Sequence, residues 1–437
     1  MASGICHRRV RLSRSLALTA ALAVLVSSGC SSAPGGASGD EPGGGSALVR
    51  VPEDASLADA GTLVADGGVI LISPGLYHES LEVRADDVTV RGLDRNGVVI
   101  DGELTRQNGV VATGERIAVE NLTVRNHLQN GVLITGVTDE SGAGVARGPD
   151  GYLPEAAPPP VPGYLVQHVT ATNNGLYGIY AFNRTGGAIR QNLASGGSDS
   201  GIYIGQCASC GALVEGNVLV SNAVGLEFAN ASDVIVTGNR IVGNRIGVSV
   251  LSNYLEAHGP SRGVQVVGNV ISGNNEERTP EQAGGAFGVG IGLSGTVDAV
   301  VSANRIEGNT TAGVWITSSE DFAPAGNTVE DNSLAGNRRD VVFAPAREAA
   351  GGSNCFRLQP GTLTEPVGLP AEGCATEIGV FSPPTAPPGI VFSRVPFPSE
   401  RAGLAEVDES PRIVPDAIAL PSVAEITVPD ADLLDDE

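Results

Sequence analysis

The apolar positions of this chain fall in short runs, each broken by asparagine, glycine or aspartate. The first are Leu81-Glu-Val, Val88-Thr-Val-Arg, Val98-Val-Ile, Ile117-Ala-Val, Leu122-Thr-Val and Val132-Leu-Ile. Short β-branched runs bounded by turn residues read as strands. Ahead of them, Val51-Pro-Glu-Asp-Ala-Ser-Leu opens a short helical stretch ending near Asp66, and Val69-Ile-Leu-Ile follows as a strand. Farther on the runs recur in one order: Asn217-Val-Leu-Val-Ser-Asn222 then Gly225-Leu-Glu-Phe, Asn239-Arg-Ile-Val-Gly-Asn244 then Gly247-Val-Ser-Val, and Asn304-Arg-Ile-Glu-Gly-Asn309 then Gly313-Val-Trp-Ile. Leading asparagines at 192, 217, 239, 269, 304 and 327 are spaced by 25, 22, 30, 35 and 23.

A period of this size, with two or three short strands per repeat and no helix between them, predicts an all-β solenoid, a right-handed parallel β-helix of one winding chain. Strand alternation turns Leu226 and Phe228 inward and Glu227 outward. Equivalent residues then stack in columns, and inward asparagines bond to the turn and to the asparagine above. The N-terminal helix is expected to cap the open end of the stack. Two insertions, 139–163 and 275–285, interrupt the period; such insertions commonly frame a binding surface. The expected divisions are a β-helix over 48–345, a non-repetitive segment over 346–390 and an acidic, proline-containing tail over 391–437, largely disordered.

All 26 basic residues are arginine, so no lysine nucleophile exists, and the net charge is −23. That sign argues against nucleic acid and anionic lipid as surface partners. It also disfavours unaided capture of a polyanion, for which a bridging calcium is the one cofactor left open; otherwise none is implied.

Arg8, Arg9, Arg11 and Arg14 precede an apolar run over 16–26, too short to span a bilayer and suited to a secretory signal over 1–29. Ser27-Ser28-Gly29-Cys30 resembles a bacterial lipobox with Cys30 as the lipidated residue, although Ser27 stands where leucine is preferred. A flexible tether over 30–47 follows. The chain is therefore expected to be exported and lipid-anchored on the outer face of the cytoplasmic membrane or in the cell envelope. In an oxidising compartment Cys355 and Cys374 are expected to pair. Cys207-Ala-Ser-Cys210 is a lone CxxC, either a structural disulfide or a buried thiol pair, with redox and zinc readings weaker.

Asn174-Gly-Leu-Tyr-Gly-Ile-Tyr180, Gly197-Ser-Asp-Ser-Gly-Ile-Tyr-Ile-Gly-Gln206 and Asn222-Ala-Val-Gly-Leu-Glu227 resemble the exported bacterial parallel β-helix repeat proteins of the pectin-lyase-like superfamily, over roughly 50–345. The resemblance implies the fold; it implies no firm activity, because that subgroup has none assigned. The superfamily includes polysaccharide lyases, hydrolases, esterases, epimerases and carbohydrate binders. The Asp-Pro-His-Asp motif of the alginate epimerases is absent here, so an enzyme class would be analogy alone.

Aligning the repeats on their glycines gives one outward column: Leu133, Tyr180, Tyr203, Glu227, Ser249, Gly292 and Trp315. Asn183, Gln206 and Asn230 come three positions later; Leu176, Asp199, Ala223 and Arg245 come two before the glycine. Outward aromatics beside carboxylates and amides suit a sugar chain, offering a stacking face and partners for hydroxyls. Tyr180, Tyr203, Gln206, Asn183, Asn230 and Arg245 are the candidate binding residues. Asp199 and Glu227 are the first acid/base pair to test, with Tyr203 or His168 as proton carrier. The same residues have plainer uses: outward aromatics pair across a sheet, and Asp199 after Ser198 can bond to a turn. His168 is expected in the slot of a leading asparagine, and His127 and His258 at the solvent. Gly290-Ile-Gly-Leu-Ser-Gly295 fits GxGxxG, but no helix follows, which rules out a nucleotide loop.

Glycan binding on the lateral face is the leading functional expectation. A polysaccharide lyase, epimerase or hydrolase is the second, and a scaffold for another exported protein the third.

Overall fold

The computed structural model describes residues 45–144, 158–281 and 285–435. The signal segment, Cys30, nearly all of the tether and the middle of the first insertion lie outside the described residues.

Each turn of the chain lays down up to three short strands, and each strand pairs in parallel with its counterpart one turn away. Three faces result. The first two share a 21-stranded sheet, because the strands Ile117–Arg125 and Val161–Thr172 run through the corner between them. The third face is a separate 11-stranded sheet. Rungs run from Ser46–Val51 to Thr364–Glu365, so the stack continues past the expected limit at 345. The architecture is a right-handed parallel β-helix.

Strand alternation builds the core. On the first face Val166, Ile189, Val214, Val236, Val266, Val301 and Val329 stack in register and are buried. On the third, Ile179, Ile202, Leu226, Val248, Ile291, Val314 and Val341 do the same. Burying each such side chain contributes about 1.5–3 kcal/mol. The N-terminal helix is Leu57–Leu63, capped by the Ser56 hydroxyl on the Asp59 amide. It buries Leu57 and Ala60 against the open end. It sits so close to the strand Leu81–Val83 that a Cβ on Gly61 would meet the Glu82 carbonyl at 1.8 Å.

Two asparagine ladders run through the corners on either side of the second face. In one, the amide of Asn192 donates to Asn217, Asn217 to Asn239, Asn239 to Asn269, Asn269 to Asn304 and Asn304 to Asn332, at 2.9–3.0 Å. Asn332 is thus the sixth rung. Asn327, expected there, belongs to another corner and bonds to Asn354. The second ladder includes Asn222, Asn244 and Asn274, then Asn309 and Asn337. These side chains are buried, so every amide bond they keep avoids an orphaned polar group. His168 is not in the ladder slot: Val169 is, and its amide donates to Asn192 Oδ1. His168 occupies the left-handed position one residue earlier, φ 49°, equivalent to Gln191 and Gly216.

The expected Cys355–Cys374 pair is a disulfide, and Cys207–Cys210, open between a disulfide and a thiol pair, is a disulfide as well. The second joins the antiparallel strands Cys355–Arg357 and Glu372–Cys374 at the far end.

The acidic tail departs from expectation. Rather than lying disordered, the chain turns back after the last rung and retraces the helix as a strap. Phe381 packs edge-on against Trp315, the Pro387 carbonyl accepts from Arg245, and Ile390 donates to the Thr279 carbonyl. Asn173 then holds the Phe392 and Val395 carbonyls, and Arg95 the Ala402 carbonyl. Near the first rung Glu409 pairs with Arg50; the strap reverses, and Arg412 reaches Glu120. Val414 is 5% exposed, packed on Ala118, Leu165 and Ala188. Arg305 and Arg240 bind the Pro429 and Ala431 carbonyls farther on. Composition marked this segment as unable to build a core of its own. It needs none, because its carboxylates and unpaired carbonyls meet arginines and amides already fixed on the faces of the helix.

Candidate functional site

The outward column forms in the expected register. Leu133, Tyr180, Tyr203, Glu227, Ser249, Gly292 and Trp315 are successive partners on the third face. Its exposure is not as expected. Tyr180 is 1% exposed, Tyr203 2% and Glu227 7%.

Over Tyr203 the cover is a loop that the sequence reading did not single out, residues 252–261, between the strands Ile246–Leu251 and Gln265–Val267. Asn230 donates to the carbonyls of Asn253 and Glu256 and accepts from the Asn253 amide. That pins the loop so that Glu256 accepts the Tyr203 hydroxyl at 2.5 Å. The stacking face proposed around Tyr203 is therefore closed. The remaining binding candidates are also inside: Asn183 bonds to the Pro158 and Pro159 carbonyls, Gln206 is fully buried, and Arg245 lies beneath Pro387 and Phe287. Asn183, Gln206 and Asn230 hold left-handed turn positions, φ 54°, 56° and 47°, which directs them to corner work.

Open space lies toward the N-terminal end of the same face. A cleft of about 560 Å³ is lined by Gln107, Asn108, Gln129, Asn130, Leu133, Leu176, Tyr177, Tyr180, Asp199 and Gly144. Its wall is another column. Gln129 donates its amide to the Gln107 carbonyl, Leu176 to that of Gln129 and Asp199 to that of Leu176, at 2.8–3.0 Å. Beside it the Asn130 side chain donates to Asn108 Oδ1. Tyr177, Tyr180 and Tyr203 form a tight cluster behind, with ring centroids 4.5–4.7 Å apart. The Tyr177 hydroxyl donates to Asp199 Oδ2 at 3.2 Å.

Of the predicted residues, the structure brings Tyr180 and Asp199 to the cleft; Glu227 is not among its walls. Burial pushes the Tyr203 hydroxyl well above its ordinary range, with Glu256 adding to it; Tyr177 is raised likewise by burial and Asp199. Both stay phenols at neutral pH and act as hydrogen-bond donors. His168 lies at the corner between the first two faces, lining a separate cavity with Arg95 and Gln191, so it is no proton carrier for Asp199. His127 is fully buried, and burial lowers it to about 4; His258 is half-buried. Sequence reasoning missed Tyr177 and the four amides. A signal was present: Gln107-Asn108-Gly109 recurs as Gln129-Asn130-Gly131 one rung later.

Among the described residues, no group of three or more His, Cys, Asp or Glu side chains is placed to hold a metal ion. No helix there is long and apolar enough to cross a membrane.

Several solved structures are similar in fold. The mannuronan C-5 epimerase AlgE4 A-module of Azotobacter vinelandii aligns at 14% identity and TM-score 0.42, over 66% of this chain and 92% of that one. Pectate lyase Pel9A aligns at 14% identity and TM-score 0.37, over 64% and 65%. The enzymatically active domain of bacteriophage CBA120 tailspike protein 2 aligns at 10% identity and TM-score 0.35, over 62% and 38%. Likeness at this level concerns the fold alone. No curated protein matches the sequence. Residues 76–334, more than half of the chain, match the family described as right handed beta helix region, and with the stacked three-faced coil described above the chain belongs to that family.

Proposed function

We propose that this is an exported protein whose third face binds a glycan in the cleft between Gln107 and Asp199. One observation carries the reading: a cleft of about 560 Å³ lined, among the described residues, by two tyrosines, four side-chain amides and a single carboxylate. Apolar rings meet the faces of sugar rings, while amides and a carboxylate offer donors and acceptors to hydroxyls. Binding without turnover is favoured, because Glu227, the partner that an acid/base pair with Asp199 would need, does not line the cleft. The test is a glycan microarray followed by titration calorimetry. A bound glycan should lose at least about tenfold in affinity in Tyr177→Ala, a truncated aromatic anchor. Unchanged affinity, or capture of one exported protein with no response to any sugar, overturns the reading and favours a docking scaffold.

Export is supported by the two disulfides, which persist in oxidising compartments. Anchoring through an acylated Cys30 belongs to the same proposal. Incorporation of labelled palmitate that disappears in Cys30→Ser supports it; equal labelling of both proteins rejects it.

A further inference from the structure

We propose that the cleft selects glycans without carboxylates, and specifically chains carrying a free sugar amine that docks against Asp199. The inference rests on the glycan reading above and adds the chemical class of the sugar.

Asp199 is the sole charged side chain among the described residues that line the cleft; the rest are amides, tyrosines, leucines and a glycine. Among the described residues that line the cleft there is no guanidinium to receive a uronate. Arg106, next to Gln107, pairs with Glu103 at 2.7 Å, and Arg84, whose Nη1 binds the Ser141 carbonyl, pairs with Glu82 at 3.0 Å. Arg245, placed by sequence in the same column as Asp199, lies beneath Pro387. Two further carboxyl groups, Glu227 and Glu256, lie near the buried Tyr177 hydroxyl and join Asp199 in raising it. A polyuronate would bring one carboxylate per residue against this field, in a partly enclosed site where like charges are poorly screened. Each approach would cost energy that no arginine among the described lining residues offsets. An ammonium reverses the sign: it gains a charge-assisted hydrogen bond to Asp199. The net charge of −23 acts in the same direction at longer range, raising the local concentration of a cationic chain and lowering that of an anionic one.

The geometry also orients the chain. The wall Gln107, Gln129, Leu176, Asp199 climbs one rung per residue. One amine is thus held at the Asp199 end, with the rest of the chain extending along the amides toward Gln107.

Calorimetry on the full chain tests this with three hexamers: a β-1,4-glucosamine hexamer, cellohexaose and hexagalacturonate, at about pH 6, where amines and carboxylates ordinarily both carry charge. The glucosamine hexamer should bind about fivefold tighter than cellohexaose, the size of one partly exposed charge pair, and at least tenfold tighter than hexagalacturonate. In Asp199→Asn the ratio of glucosamine hexamer to cellohexaose affinity should fall below about twofold. That variant leaves the remaining surface charge in place, so a preference from bulk acidity alone would persist in it. Hexagalacturonate binding as tightly as the glucosamine hexamer overturns the inference. So does a preference for the amine that survives Asp199→Asn. In both cases, loss of binding in Tyr177→Ala would leave the glycan reading standing. If none of the three hexamers binds and the microarray is blank, the glycan reading falls and takes the inference with it.

Discussion

The hydroxyl of Tyr203 ends on Oε1 of Glu256, 53 residues later in the chain, and that bond closes the middle of the third face. Both groups are buried, so the bond prevents two desolvation penalties at once. Replacing Glu256 by leucine would leave the Tyr203 hydroxyl buried without its acceptor, at a cost of about 1–3 kcal/mol. Tyr203→Phe in that background should recover part of the loss. Urea unfolding of the four proteins in this double-mutant cycle checks it; additive effects would mean that the two groups do not depend on each other. Tyr203→Phe alone should change affinity for a cleft ligand less than about twofold, since its ring is kept.

The asparagine ladder should be most sensitive at its middle. Asn239 donates to Asn269 and to the Val214 carbonyl, while it accepts from Asn217. Asn239→Ala strands groups on both neighbouring rungs and should cost on the order of 3 kcal/mol. At the end of the same ladder Asn332 donates to the Val301 and Glu330 carbonyls. Asn332→Ala should cost about half as much. Chemical denaturation of the two variants gives the comparison, and equal losses would contradict a rung-by-rung mechanism.

The strap is held by charge as well as by shape. Arg50–Glu409 and Arg116–Asp416 join exposed or half-exposed groups, whereas Glu120, with Arg91 and Arg412 on it, is buried. Salt near 1 M shortens the screening length to about 3 Å and should weaken the outer pairs while sparing the buried one. Hydrogen exchange in 1 M salt should therefore rise at 406–418 before it rises anywhere in the coils. Truncation after residue 390 should lower Tm by several degrees, because it exposes Ala118, Leu165 and Ala188 and leaves Glu120 short of Arg412. A truncated chain with an unchanged Tm would show that the strap adds no stability.

His127 makes stability depend on mild acid. Burial lowers its folded value to about 4, against an ordinary 6.5. The unfolded chain therefore takes up the proton first, and stability that is complete above about pH 6.5 declines as the pH falls toward 4. The full effect of this one group is roughly 3 kcal/mol. His127→Gln removes the titration, so the pH dependence of its unfolding free energy should be flatter than that of the parent over this window. Parallel curves would show that His127 does not titrate there.

Much of the scaffold was legible because a β-helix repeats its local rules. Alternation along Gly225-Leu-Glu-Phe places Leu226 inside at 0% exposure, and the glycine alignment recovers the true register from Leu133 to Trp315. The reading slips where the corner carries no asparagine, so that Val169, not His168, fills the ladder slot, and where two corners of one coil each carry one, so that Asn332, not Asn327, completes it.

The chain by itself therefore determined the winding, the inward and outward faces, the Cys355–Cys374 disulfide and the two sides of Tyr203, since all depend on neighbours within a rung or one rung apart. What tertiary structure alone decided was access. Whether an outward residue meets solvent depends on segments that return from far along the chain, such as Glu256 over Tyr203 and Pro387 over Arg245. Periodicity carries no information about those returns. They are set by hydrogen bonds and ion pairs between residues 50 to more than 300 positions apart, and they moved the candidate site from Tyr203 to the cleft ending at Asp199.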